Sequence, residues 1–360
     1  MTWGTDEYGK YIAVSITNSC PIQCGHCIVD SKPTSPTGHI SLLSSTAKWL
    51  EYIGDARHLT LTGGEPFHDL EAMKRFVDMA ALAGVRCGAI TSAFWAKSLA
   101  SAKNTLDSVS GLYSITISCD VFHEKFVPLR FIENAYTAAK RAGLMTKIRF
   151  THLAAETEEE SRFRATLASF CSEADLEEAH LQPYGRGEKE NSVVVDAERR
   201  YDKDAIKYGT CPSRGPHMSY DGRVLPCCNS IVSLKDTHLF EFGNIVATDP
   251  HAVMDTVWRN IYFVAIKTLG FDWLYEKLIE KNSERRENLK AKDACHFCFK
   301  ICTDAALRFE VQEILSDPVV QLQLHVIGWS QLGIEVCGEE TVNAAKAIKG
   351  SGIREVHAIV

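Results

Sequence analysis

Three cysteines, Cys20, Cys24 and Cys27, form a C-x3-C-x2-C run directly after a β-rich stretch, Tyr11–Thr17. Three closely spaced thiolates can hold three corners of a [4Fe–4S] cluster and leave the fourth iron without a protein ligand. An open metal position marks a place for chemistry rather than for structure alone. Zinc is the competing reading, because it takes a fourth Cys or His nearby and His26 lies inside the run. Gly25 argues for the cluster, since a residue without a side chain lets the loop wrap tightly around a bulky inorganic core. Further on comes Thr62-Gly63-Gly64-Glu65-Pro66. Alone, Gly-Gly-Glu-Pro reads as a turn. Behind a cluster run it reads as the second half of a site.

The remaining cysteines sort into two sets. Cys211, Cys227, Cys295 and Cys298 look recruited to a second centre, with Cys228 and Cys302 beside them. Cys87, Cys119, Cys171 and Cys337 fall within strand or helix patterns and read as small buried hydrophobes. The total, 13, is odd, and Met1-Thr2-Trp3-Gly4-Thr5-Asp6-Glu7 has neither the basic start nor the apolar core of an export signal. The chain is therefore expected to be cytoplasmic, with reduced thiols, which favours metal binding over disulfides. A net charge of −7 gives no basic footprint for nucleic acid or an anionic membrane. No apolar run approaches the roughly 18 residues of a membrane span.

The elements that must position these residues follow from periodicity. Strands are expected at Tyr11–Thr17, His58–Thr62, Val85–Thr91, Tyr113–Cys119, Thr146–Thr151 and Glu178–Pro183. Helical patterns lie between them at Leu42–Tyr52, Leu70–Leu82, Trp95–Val109, Glu124–Ala142 and Glu156–Ser172. Ser41 and Asp69 are candidate N-caps, and Gly84 and Gly143 sit where helices should end. Strands alternating with helices imply βαβ units and a parallel sheet. Six such units are too few for a closed eight-stranded barrel, so the expected fold is α/β, an open partial (β/α)6 barrel. In such sheets the chemistry sits at the C-terminal strand ends, where both Cys20–Cys27 and Gly63–Glu65 fall.

With its two motifs on the first and second strands of a βα series, the chain resembles the radical S-adenosylmethionine (SAM) enzymes. The resemblance implies a [4Fe–4S] cluster on Cys20, Cys24 and Cys27 whose open iron chelates the methionine moiety of SAM. One electron then cleaves SAM to a 5′-deoxyadenosyl radical, which takes hydrogen from a substrate. It implies an electron donor such as flavodoxin or ferredoxin. Gly63 and Gly64 would let the backbone approach the methionine, and Glu65 would pair with its ammonium. Ser118 and Asp120 end the fourth strand, where related enzymes often place ribose ligands; capping the next helix is the alternative. Arg149 lies in a run expected to be buried and needs a carboxylate, either that of SAM or a protein acid. His123 is a candidate substrate contact or an ordinary polar loop residue.

The second group, Cys211-x10-Gly222-x4-Cys227 followed by Cys295-x2-Cys298-x3-Cys302, resembles the SPASM and twitch auxiliary-cluster modules of the same enzymes. The later half departs from the SPASM run, and too few thiols remain for two auxiliary clusters, so one is expected. Cys211, Cys227, Cys295 and Cys298 fit the twitch pattern, and Cys302 can replace one of the last two. A four-cysteine structural zinc is the alternative. Cys228 is either a hydrogen-atom donor to a substrate radical or packing behind the cluster. The expected organisation is a radical SAM partial barrel over 1–187, a linker over 188–204, an auxiliary-cluster domain over 205–310 and a helical extension over 311–360. Within it, Ile261–Lys292 reads as helical and Glu355–Val360 as β-like. The resemblance points to a ribosomally made peptide as substrate, through epimerisation, cross-linking or oxidation. A sugar or aminocyclitol dehydrogenase or epimerase, and a non-catalytic metal-cluster interaction protein, are the alternatives.

Overall fold

The computed structural model describes residues 8–38, 41–54, 57–153, 156–189, 208–234, 239–240, 242–284, 289–328 and 330. Six parallel strands run β1 (Tyr11–Thr17), β2 (His58–Gly63), β3 (Arg86–Thr91), β4 (Ser114–Cys119), β5 (Met145–His152) and β6 (Leu176–His180). A short antiparallel hairpin, β7 (His217–Met218) and β8 (Val224–Leu225), joins the sheet on the far side of β1. The order is β6-β5-β4-β3-β2-β1-β7-β8, so the sheet stays open. The expected partial barrel is the observed fold, enlarged by a hairpin whose strands are too short to show in a periodicity.

Six helices connect the parallel strands: α1 (Leu42–Ile53), α2 (Leu70–Leu82), α3 (Leu99–Asp107), α4 (Val121–Glu124), α5 (Leu129–Arg141) and α6 (Glu158–Ala168). Asp69 caps α2 by accepting from the Ala72 amide at 2.9 Å, whereas Ser41 precedes α1 without a side-chain cap bond. The single helix expected over Glu124–Ala142 is two, because Pro128 stands at the entry to α5 and cannot lie inside a longer helix. Gly84 and Gly143 follow α2 and α5 at positive φ, as helix ends require.

The alternation of side chains decides which face does what. Ile115, Ile117, Ile148 and Phe150 are fully buried on the face that meets the helices, with Phe150 stacked on Phe163 of α6. Burying one such side chain contributes roughly 1.5–3 kcal/mol, so this face fixes the strand register. The intervening residues are polar and face the other way: Ser15 bonds His217 at 2.9 Å, His58 bonds Ser114 at 3.3 Å, and Arg149 pairs with Glu177 at 3.1 Å. Arg149 is thus not in a buried run. Its neighbours Ile148 and Phe150 are the buried ones, and period-2 alternation puts the guanidinium on the polar, accessible face.

Beyond the sheet, helices α7 (Pro250–Arg259), α8 (Ile261–Thr268), α9 (Gly270–Lys281), α10 (Ala294–Thr303), α11 (Ala305–Ser316) and α12 (Pro318–Ile327) pack on one another. The expected helical stretch Ile261–Lys292 is divided at Gly270, whose φ of +86° and close approach to the Gly209 carbonyl exclude a side chain. Cys87, Cys119 and Cys171 are buried as expected. Cys337, the expected linker and Glu355–Val360 lie outside the described residues. Among the described residues no helix is long and apolar enough to cross a membrane.

Candidate iron–sulfur site

The cysteine triad sits in the loop leaving β1, and the Gly-Gly-Glu turn leaves β2 beside it. The two loops are zipped together: the Gly64 amide donates to the Thr17 carbonyl at 2.8 Å and the Glu65 amide to Ser19 at 2.9 Å. A Cβ on Gly63 would stand 2.0 Å from the Thr17 oxygen, and one on Gly64 would stand 2.1 Å from that of Ser19. Both glycines are therefore required by the cluster loop itself, whatever else approaches them.

Glu65 is buried, and its carboxylate is saturated by protein donors. One oxygen accepts from the Phe67 amide at 3.1 Å and Thr91 Oγ1 at 2.7 Å; the other accepts from the Ser92 amide at 2.7 Å and its hydroxyl at 2.6 Å. Burial raises its pKa, with the four hydrogen bonds pulling the other way. The side chain expected to meet an ammonium here ties the end of β2 to the end of β3. Thr91 Oγ1 also accepts from Trp95 Nε1 at 3.0 Å, and Trp95 stacks on Phe67 at 4.6 Å. Ala93 continues this loop at φ +61°, a left-handed backbone that is costly for alanine.

The triad is braced from the other end of the sheet. After β6, Arg186 sends Nε to the Cys24 carbonyl at 3.0 Å and Nη1 to Asp30 at 3.0 Å and the Ser31 carbonyl at 2.6 Å. Gly185, at φ +63°, lets this segment touch the loop, since a Cβ there would lie 2.5 Å from the Cys27 oxygen. Burial pushes the Cys20 thiol up to about 12. Cys24 and Cys27 are hydrogen-bonded to each other: Cys24 is held up by that bond and by burial, and Cys27 is drawn down to about 5 chiefly by it. Arg186 acts on all three thiols in the sense that favours thiolate. Its Nη2 and the Nδ1 of His26 are buried without a protein partner, so donors remain for an anionic group held by the triad. The residues present fit a [4Fe–4S] cluster.

Asp120 is fully buried at the N-terminus of α4, where it accepts from the Phe122 amide at 2.9 Å and the His123 amide at 2.8 Å. It also pairs with His123 Nδ1 at 2.7 Å and His26 Nε2 at 3.2 Å. Burial works to raise its pKa, but the imidazoles outweigh this and hold the carboxyl well below the usual carboxylate range. Of its two expected roles, capping the helix is the one occupied. Ser118 stands opposite Arg149 in the β4–β5 register, on the polar face. Cys24, His26 and His123 offer ligand atoms within 4.8 Å of one another, which is the geometric basis of the zinc alternative.

The second cysteine group gathers around α10. Cys295, Cys298 and Cys302 lie three and four residues apart, so successive turns carry them on one helix face. Cys298 and Cys302 are hydrogen-bonded to each other. Cys211 and Cys227 act electrostatically on this set, and Cys211 is held by its amide bond to the Ile266 carbonyl at 2.8 Å. Asn229 Nδ2 donates to Cys295 Sγ at 3.3 Å, and the Tyr262 hydroxyl donates to Cys298 Sγ at 3.5 Å. Lys267 donates to the Cys211 carbonyl at 3.2 Å and to that of Ser213, beneath the Tyr8 ring. Sulfurs ringed by donors and a fixed cation suit an anionic cluster. Cys228 is different: the residue is exposed, desolvation raises its pKa, and the charge of Arg149 works to lower it.

Arg186, Thr91, Ser92 and Lys267 were not singled out by the sequence. Only Gly185-Arg186-Gly187 carried a signal, a cation between glycines just after the last strand. The hydroxyls and Lys267 matter through contacts far apart in the chain and left none.

An open parallel α/β sheet with a three-cysteine loop at the C-terminal strand edge is an arrangement suited to an iron–sulfur cluster. Residues 9–124 match a protein family described as a 4Fe-4S single cluster domain, which favours iron–sulfur over zinc. No curated protein sequence matches the chain. Among solved structures, "Native anSMEcpe with bound AdoMet and Cp18Cys peptide" aligns with a TM-score of 0.52 at 14% identity, covering 94% of this chain and 99% of that one. Streptococcus suis SuiB bound to precursor peptide SuiA aligns at 0.46 and 14%, covering 68% and 64%. BtrN in complex with AdoMet and 2-DOIA aligns at 0.37 and 15%, covering 72% and 87%. The chain thus shares the fold of the AdoMet-bound anSMEcpe structure and carries its own two motifs at the ends of β1 and β2, within the segment that matches the 4Fe-4S domain.

Proposed function

We propose that the chain is a peptide-modifying radical SAM enzyme whose outcome is epimerisation of a residue in a ribosomally made peptide. The observation that carries this reading is Cys228, an accessible thiol within the electrostatic reach of Arg149 and adjacent in sequence to Cys227 of the second cysteine group. An exposed thiol at this position could meet a substrate radical. When bound, SAM and the cluster on Cys20, Cys24 and Cys27 would supply a 5′-deoxyadenosyl radical able to take the hydrogen atom of a peptide α-carbon. Cys228 would then give its own hydrogen atom to the opposite face of the planar carbon radical, leaving a thiyl radical that needs one electron and one proton to become a thiol again.

The other residues have supporting tasks. Arg186 holds the triad loop, Gly63 and Gly64 admit it beside β2, and Glu65 fixes the turn through Thr91 and Ser92. Cys211, Cys227, Cys295 and Cys298 would hold one auxiliary cluster, with Cys302 bonded to Cys298 as the alternative ligand. Ser118 and Arg149 line the polar face where SAM and substrate would meet.

The test uses the reconstituted full chain, SAM, a reductant and a candidate peptide in deuterated water. Epimerisation predicts one solvent deuteron at one inverted α-carbon. Cys228→Ala should still cleave SAM to 5′-deoxyadenosine while losing the inverted product. Normal product from that variant, or a cross-linked or oxidised product without solvent deuterium, would remove the epimerase reading.

A further inference from the structure

The thiyl left on Cys228 needs an electron in each turnover, and the second cysteine group, adjacent through Cys227, is the centre that would pass it on. We infer that Tyr8 and Trp258 form a route from the protein surface to that group; the inference rests on the auxiliary-cluster reading above. Tyr8 is buried, and its hydroxyl donates to the carbonyl of Pro226 at 3.0 Å, one peptide bond from Cys227. The nearby Cys211 and Cys227 thiols also act electrostatically on that hydroxyl, behind a larger effect of burial. The Tyr8 ring meets Trp258 edge-on at 5.3 Å, and both pack on Phe263, at 5.1 Å from Tyr8 and 5.9 Å from Trp258. Trp258 is only half-buried, and with Tyr52, His251 and Asp255 it lines a surface hollow between α1 and α7.

The sequence Trp258, Tyr8, Pro226, Cys227 therefore runs from solvent to a cysteine of the auxiliary site through two aromatic rings, one hydrogen bond and one peptide link. Electron tunnelling favours such connected π-systems over aliphatic packing. Lys267 sits over the Tyr8 ring at 5.4 Å and is bonded to the Cys211 carbonyl, which places an ammonium beside the inner end of the route. The balance is simple. A one-electron carrier loses one electron at the hollow, the electron travels inward, and the Cys228 thiyl gains it with one proton from solvent. The redox-inert alternative is that the aromatic trio serves only as core.

The experiment follows reduction of the anaerobic, reconstituted full chain by reduced methyl viologen, using stopped-flow absorbance and freeze-quenched electron paramagnetic resonance. Trp258→Phe and Tyr8→Phe preserve most of the packing, and Trp273→Phe is a control off the route. The expected result is slower appearance of the auxiliary signal in the first two variants, an unchanged rate in the control, and unchanged reduction of the SAM-site cluster in all. An intact auxiliary signal that appears at the wild-type rate in both route variants would overturn the path alone. A wild-type chain with about four irons and no second signal would overturn the auxiliary-cluster reading, and the path with it.

Discussion

Replacing Glu65 by glutamine tests whether this carboxylate is a ligand for SAM or a tie within the protein. Four donors converge on it at 3.1, 2.7, 2.7 and 2.6 Å, two to each oxygen. In Glu65→Gln the new NH2 must face either the Phe67 amide with the Thr91 hydroxyl, or the Ser92 amide with its own hydroxyl. A hydroxyl can turn to accept from the NH2; a backbone amide cannot. Whichever way the side chain lies, one buried amide loses its acceptor, at about 1–3 kcal/mol. The bonds that survive lose their charge assistance, which roughly halves them. The sum is about 3–5 kcal/mol, and at roughly 2–4 °C per kcal/mol the melting temperature should fall by about 10 °C. The assay is thermal and urea unfolding of the metal-free chain, so that cluster loading plays no part, with SAM binding measured separately on the reconstituted protein. If Glu65→Gln unfolds within about 1 kcal/mol of the wild type while SAM affinity collapses, the carboxylate is a ligand and the saturation argument is wrong.

Three further outcomes follow from the same geometry. Ala93→Gly should stabilise the chain by up to about 1 kcal/mol in urea unfolding, because relief of a left-handed alanine (about 1–2 kcal/mol) outweighs the added freedom of the unfolded glycine. His217 is buried against Ser15, and burial lowers its pKa to about 4, so the unfolded chain binds a proton near pH 6.5 that the folded chain refuses until near pH 4. Stability should therefore drop by about 3 kcal/mol as pH falls through that window, a slope that His217→Gln should flatten in pH-dependent unfolding. Arg186→Lys cannot span the Cys24 carbonyl, Asp30 and the Ser31 carbonyl together, and should lower the iron retained at the triad while leaving iron at the second group unchanged, as read by metal analysis and Mössbauer spectroscopy.

By itself, the sequence determined the chemistry and most of the frame. Cys20-x3-Cys24-x2-Cys27 and Gly63-Gly64-Glu65 are local motifs whose spacing survives in one dimension, and the apolar face of each strand sets a period that can be counted. The tertiary structure decided what those residues touch. Glu65 reads as a partner for an ammonium, and only the fold shows that Thr91 and Ser92 donate to it; Asp120 reads as either a ribose ligand or a helix cap, and the fold shows the cap together with His26 and His123. Arg149 changed from buried to accessible because one residue of strand phase separates the two faces of a sheet. Arg186 bracing a loop more than 150 residues earlier, and Tyr8 reaching Pro226 and Trp258, belong to the same category. Hydrogen bonds and ring contacts depend on distances that only chain folding creates, so no local pattern of residue types encodes them.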